Sequence, residues 1–237
     1  MGSLLLVGFV FGLKHALEGD HFAAVASLAT QSNSTWCTIR MGIVWGLGHT
    51  ITLFLVGGTV LVMGTSVPAM VALSLEWFVG LMLMVLGGDV IRRMIKARIH
   101  FHVHQHDDGT RHFHAHGHAA DSRPHDPGRH HHSHCREFPV RALLVGFVHG
   151  LAGSAALILL ALASAESTIA GFTYIFVFGL GSLIGMGTLS TIIAIPLQNT
   201  RRLGWVYNGL CSAVGVLTFT IGSNLVYRIT ATVMDMS

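Results

Sequence analysis

Charge is what this sequence has least of. Only 11% of its 237 residues are Asp, Glu, Lys or Arg, against roughly a quarter in soluble domains. With 51% hydrophobic residues, it lacks the polar side chains to solvate a globular surface. Proline is scarce at 5 residues. Cysteine is nearly absent, and Cys37, Cys135 and Cys211 form no CxxC pair. Neither a zinc ribbon nor a disulfide framework is expected, and Cys135, beside His134, reads as an ordinary thiol. There is no GxxxxGK[ST] loop, which excludes ATP hydrolysis by this chain. There is no HExxH, since Ala16 follows His15. The net charge of +3 sits in loops without interleaved aromatics, so nucleic acid is not an expected partner. The apolar run beginning almost at Met1 leads straight into a charged cluster, so it reads as a retained helix rather than a cleaved signal.

What is present is a series of long apolar runs, and glycine, at 28 residues. Glycine lets helices approach closely in lipid, where no hydrophobic force drives them together. The runs predict spans at 3–30, 41–63, 69–95, 138–165, 168–196 and 204–228. Each is long enough for a hydrocarbon core of roughly 30 Å. The first, third and fifth are long enough to be tilted or broken. The expected fold is therefore an all-α polytopic membrane protein with six transmembrane helices. Arg and Lys crowd the side that holds 31–40, 97–137 and 197–203, so that side is expected in the cytoplasm and both termini outside. This implies a multi-pass protein of the plasma or inner membrane.

The two halves repeat. Leu6-Val7-Gly8-Phe9-Val10 recurs as Leu144-Val145-Gly146-Phe147-Val148, and Trp45-Gly46-Leu47-Gly48-His49 is answered by Phe178-Gly179-Leu180-Gly181-Ser182. A three-span unit repeated in one chain must invert. Inverted repeats are a transporter architecture with the site between the halves. The expected organisation is a first three-helix repeat at 1–96, a loop at 97–137 and a second repeat at 138–237. The loop holds 13 of the 17 histidines and almost no aliphatic residues, so it is expected to be disordered. His102, His104, His114, His116, His118, His131 and His132 within it are candidate auxiliary metal ligands, because neutral imidazole is the commonest ligand for such ions.

The other four histidines, His15, His21, His49 and His149, lie inside predicted spans, with Glu18 and Asp20. Ionisable groups there are costly and mark function. At 1.5 Å per residue, His15 lies roughly 18 Å and Asp20 roughly 26 Å from one face. His49 and His149 lie roughly 12 and 16 Å from the other. All meet near one depth, which suits a cage for a borderline divalent ion. A regular helix would put His15, Glu18 and His21 on one face and turn Asp20 away. Bringing Asp20 to His15 and His21 needs a break, cheapest at Gly19. The break is the expectation; with a regular helix, Glu18 would replace Asp20. His149 and Glu18 are the weaker candidates.

His15-x4-Asp20-His21, followed by Leu47-Gly48-His49-Thr50 in the next span, resembles the nickel/cobalt transporter family. Leu151-Ala152-Gly153-Ser154-Ala155-Ala156-Leu157 looks like its short, urease-accessory permease branch. The resemblance implies that His15, Asp20, His21 and His49 hold the transported ion. Two features depart from the family pattern. Longer members have eight helices, and Glu18 stands where Asp is usual. The resemblance implies a secondary transporter for Ni²⁺, with Co²⁺ as a second substrate, and no enzyme. Import is the expected direction and efflux the alternative, since the histidine-rich loop resembles that of efflux members. An intramembrane metalloenzyme and a non-transporting metal-binding protein are the rival classes. The ion is substrate, and no cofactor is expected. Candidate partners are a divalent transition-metal ion, the bilayer and cytoplasmic metallochaperones.

Overall fold

The computed structural model describes residues 2–32, 34–64, 67–96, 99–105, 111–117, 139–152 and 167–236. Seven α-helices are described: α1 (Gly2–His15), α2 (Gly19–Ala29), α3 (Thr35–Met63), α4 (Ala69–Lys96), α5 (Val140–Ala152), α6 (Thr168–Asn199) and α7 (Gly204–Met236). Among the described residues, α3, α4, α6 and α7 are each long and apolar enough to cross a membrane, while α1 and α5 are shorter apolar helices. The chain is a polytopic helical membrane protein. Large apolar side chains point outward accordingly. Leu55, Val85 and Ile169 are 63%, 62% and 76% exposed, a liability in water and ordinary against lipid.

The predicted first span is two helices. After His15 the chain leaves helical geometry for three residues, and Glu18 is extended with φ −64° and ψ 152°. Helix α2 then restarts at Gly19. The break therefore sits on Ala16–Glu18, just before the glycine expected to carry it. Further along, α3 begins six residues before the predicted span and stops at Gly64, whose φ of 63° suits a residue without Cβ. Of the predicted span 138–165, residues 139–152 are described.

Close glycine contacts set the helix packing. A Cβ on Gly87 would lie 2.5 Å from Phe219 N, and one on Gly222 would lie 2.6 Å from Gly80 O, so α4 and α7 nearly touch backbones. Helix α1 lies on α6, and α3 lies on both α5 and α6. The buried core centres on Trp45, Leu83 and Met186. At the basic end, side chains clamp the α2–α3 connection. Arg141 donates to Gln31 at 3.0 Å and reaches Asp89 at 3.4 Å. Arg93 donates to Thr30 Oγ1 at 3.3 Å, and Arg201 donates to Ser32 O and to Tyr207 OH.

Two expectations are corrected. The histidine-rich stretch is not unstructured throughout: Ile99–Gln105 (β1) and Arg111–Gly117 (β2) form an antiparallel pair. His100 is in register with His116, His102 with His114 and His104 with His112. Alternate histidines leave Ile99, Phe101, Val103 and Phe113 at the intervening positions, and that period of two is a strand pattern. His118, His131 and His132 lie outside the described residues. Further, Cys37 is disulfide-bonded whereas Cys211 is a buried free thiol. Sequence spacing carries no signal for a pairing made by tertiary approach.

Candidate metal centre

The break after α1 supplies the first two ligand candidates. His15 is the last residue of α1, and His21 sits in the first turn of α2, so the three-residue break at Ala16–Glu18 falls between them and they are not on one continuous helix. Their rings lie 4.4 Å apart, nearly edge to face. From α3, His49 brings a third imidazole, 5.3 Å from the His15 ring and 5.2 Å from that of His21. From the last turn of α5, His149 brings a fourth, 4.2 Å from His21 and 5.8 Å from His49. His21 and His49 are fully buried, and His149 and His15 are 1% and 7% exposed. The convergence expected from depth is present in the fold.

The nitrogens are arranged in two layers. His15 Nε2 and His49 Nε2 lie 3.3 Å apart. His15 Nδ1 meets Glu18 Oε2 at 3.0 Å. Asp20 spans two imidazoles, with Oδ1 3.0 Å from His21 Nδ1 and Oδ2 3.0 Å from His149 Nε2. The backbone N–H of His21 also donates to Asp20 Oδ1 at 2.9 Å. His21 Nε2, His49 Nδ1 and His149 Nδ1 are buried without a hydrogen-bond partner. An unpartnered buried polar atom is costly in a finished fold, and three such imidazole nitrogens in one place fit a pocket built for a ligand. Two sets of donors lie mutually within 4.8 Å: His15, His21 and His49, and Asp20, His21 and His149. The alternatives at the carboxylate are thus both near: Glu18 faces His15, and Asp20 faces His21 and His149.

Helix packing holds this geometry. A Cβ on Gly146 would lie 2.1 Å from Trp45 O, and one on Gly150 would lie 2.6 Å from His49 O. Helix α5 can reach α3 closely enough to bring His149 to the cluster only because both positions are glycine. Sequence reasoning missed Trp45. Its ring lies 5.4 Å from His21 and 5.5 Å from His149, fully buried, and it walls the cluster on the core side. It was findable, since it precedes His49 by four residues and so shares its helix face. Phe178 of α6 walls the His15 side, 5.5 Å from that ring. Lys14 is exposed on α1, while both carboxylates are engaged with imidazoles. The loop histidines His102, His104, His114 and His116 belong to the two paired strands β1 and β2.

No protein-family model matches the chain, and no solved structure does. A curated relative does: the urease accessory protein UreH of Bacillus sp. (strain TB-90) is 32% identical over 232 residues, which cover 97% of this chain and 93% of the relative. Identity of that extent, spanning all the helices that build the histidine cluster, means that the chain belongs to the UreH family.

Proposed function

We propose that this protein is a secondary transporter that carries Ni²⁺, with Co²⁺ as a second substrate, through the membrane at the His15/His21/His49 cluster. The observation that carries the reading is the buried meeting of these three imidazoles, contributed by three different helices inside an apolar bundle. An ion bound at about 2.1 Å by two nitrogens 3.3 Å apart subtends an angle of about 104°, close to tetrahedral. Imidazole suits nickel and cobalt, but also zinc and copper, so selectivity must come from the geometry of the cage. Asp20, Glu18 and His149 complete its surroundings.

The transport mechanism is alternating access between two inverted halves. Packing supports the duplication and adjusts its register. Gly12 abuts Phe178 O and Ser182 N as Gly146 abuts Trp45 O and His49 N. Gly181 abuts Phe9 O and Leu13 N as Gly48 abuts Leu143 O and Phe147 N. These contacts equate Gly12 with Gly146, one helical turn from the equivalence implied by the Leu-Val-Gly-Phe-Val match. They make His149 the counterpart of His15. His15-Ala16-Leu17-Glu18-Gly19 then aligns with His149-Gly150-Leu151-Ala152-Gly153, sharing His, Leu and Gly. The first half keeps the full ligand motif, and the second retains one histidine of it.

The clamp of Arg93, Arg141 and Arg201 over the α2–α3 connection fits a state closed at the basic end. Charge bias places that end in the cytoplasm and the termini outside. Import is the proposed direction. In proteoliposomes, ⁶³Ni²⁺ should accumulate down its gradient, and His15→Ala and His21→Ala should abolish uptake. Unchanged flux in both variants would refute the site. Flux only from the cytoplasmic face would establish efflux, and binding without flux would make the chain a metal-binding protein.

A further inference from the structure

We infer that Asp20 is not a ligand of the transported ion but the positioning residue of its site, one carboxylate that holds His21 toward the ion and ties the first half to His149 of the second. The inference rests on the metal-site reading above. Both Asp20 oxygens are already committed, Oδ1 to His21 Nδ1 and Oδ2 to His149 Nε2, each at 3.0 Å. A carboxylate that accepts from His21 Nδ1–H fixes the tautomer whose lone pair is on Nε2, and that nitrogen is the buried, unpartnered one. Glu18 does the same for His15, whose Nδ1 it holds while Nε2 faces His49. Metal-binding histidines typically carry such a carboxylate behind them, which sets ring orientation and raises basicity.

The ring spacings agree. An imidazole centroid lies roughly 3.2 Å from an ion bound at about 2.1 Å. Two such rings are then about 4.5 Å apart at a right angle and about 5.2 Å apart at a tetrahedral one. The three rings of His15, His21 and His49 are separated by 4.4, 5.3 and 5.2 Å. An ion seated instead among Asp20, His21 and His149 would draw on a carboxylate whose two oxygens already face His21 Nδ1 and His149 Nε2, and would leave the close pair of His15 Nε2 and His49 Nε2 unused. In the inferred arrangement two carboxylates stand behind three neutral ligands and balance the charge of a divalent ion without touching it. Because Oδ2 reaches α5, any shift of the second half is felt at His21, which couples ion loading to movement of the halves.

The test is X-ray absorption of Ni²⁺, and the visible spectrum of Co²⁺, on the full chain in lipid nanodiscs. The wild type should show three imidazoles at the ion. Asp20→Asn can still accept from His21 and donate to His149, so it should keep the imidazole count and the Co²⁺ band shape. Asp20→Ala should weaken binding roughly 10–100-fold with the same imidazole count. His21→Ala should lose one imidazole. A carboxylate oxygen at the ion in the wild type that disappears in Asp20→Asn would overturn the inference while leaving the metal site standing. Binding indifferent to His15, His21 and His49 would overturn the metal site itself.

Discussion

Replacing His49 by alanine tests the centre where its geometry is most sharply defined. His49 Nε2 lies 3.3 Å from His15 Nε2, and the ring is fully buried. Its backbone, not its side chain, makes the contacts that fix α5 on α3, because His49 N and O lie against Gly146 and Gly150. Truncation should therefore spare the helix crossing. It leaves a cavity and takes the partner from His15 Nε2, but it also removes Nδ1, a buried nitrogen without a partner, so the costs are partly offset. Stability should fall by about 1–3 kcal/mol. Metal binding should fall as well. Loss of a group behind a ligand already costs 10–100-fold, so loss of one of three ligands should cost at least ~100-fold, about 2.7 kcal/mol. Equilibrium binding of ⁶³Ni²⁺ to nanodisc-embedded protein, beside a thermal melt of the same sample, separates the two quantities. Affinity within threefold of wild type in His49→Ala, with a large loss in His15→Ala, would refute the assignment of His49 as a ligand.

Other outcomes follow from neighbouring contacts. Gly146→Val places atoms within 2.1 Å of Trp45 O, a backbone atom that cannot step aside; it should lower stability by about 3 kcal/mol and weaken Ni²⁺ binding together, seen in melts and binding. Gly19→Ala should be neutral or stabilising by up to about 1 kcal/mol, because Gly19 is helical, lacks a positive φ and has nothing within 4 Å of where a methyl group would sit; a collapse of the thermal melt would contradict this. Ser182→Ala, at the position the proposed duplication pairs with His49, should bind Ni²⁺ within twofold of wild type, since its buried hydroxyl has no hydrogen-bond partner; a tenfold loss in the same binding assay would place it at the ion. Maleimide labelling in sealed, right-side-out cells should reach Asp235→Cys at once and Arg202→Cys only after permeabilisation; the reverse pattern would invert the proposed orientation.

Much of the site is legible in the sequence because lipid makes polarity conspicuous. His15, Glu18, Asp20, His21, His49 and His149 stand out in apolar runs, where every ionisable group carries a desolvation cost and so needs a reason. The break in the first span is legible too, from the clash between a regular helix, which turns Asp20 away from the face of His15 and His21, and a motif that gathers all three. Its position is less so: the extended residue is Glu18, and the glycine merely follows it. The β-pair is carried by the alternation of histidine with Ile99, Phe101, Val103 and Phe113, a local signal that the polar composition of the whole stretch outweighs.

The sequence by itself determined that the chain lives in a membrane, that a cluster of imidazoles and carboxylates is sunk into it, and that its two halves share a glycine-rich pattern. Those facts follow from local composition and spacing. Only the tertiary structure decided that His149 belongs to the cluster, that Trp45 walls it, and that Asp20 faces two imidazoles at once. Each of these depends on how closely α3, α5 and α6 approach, which is set by backbone contact at glycines far apart in the chain. No periodicity within one helix records which turn of its neighbour it will meet.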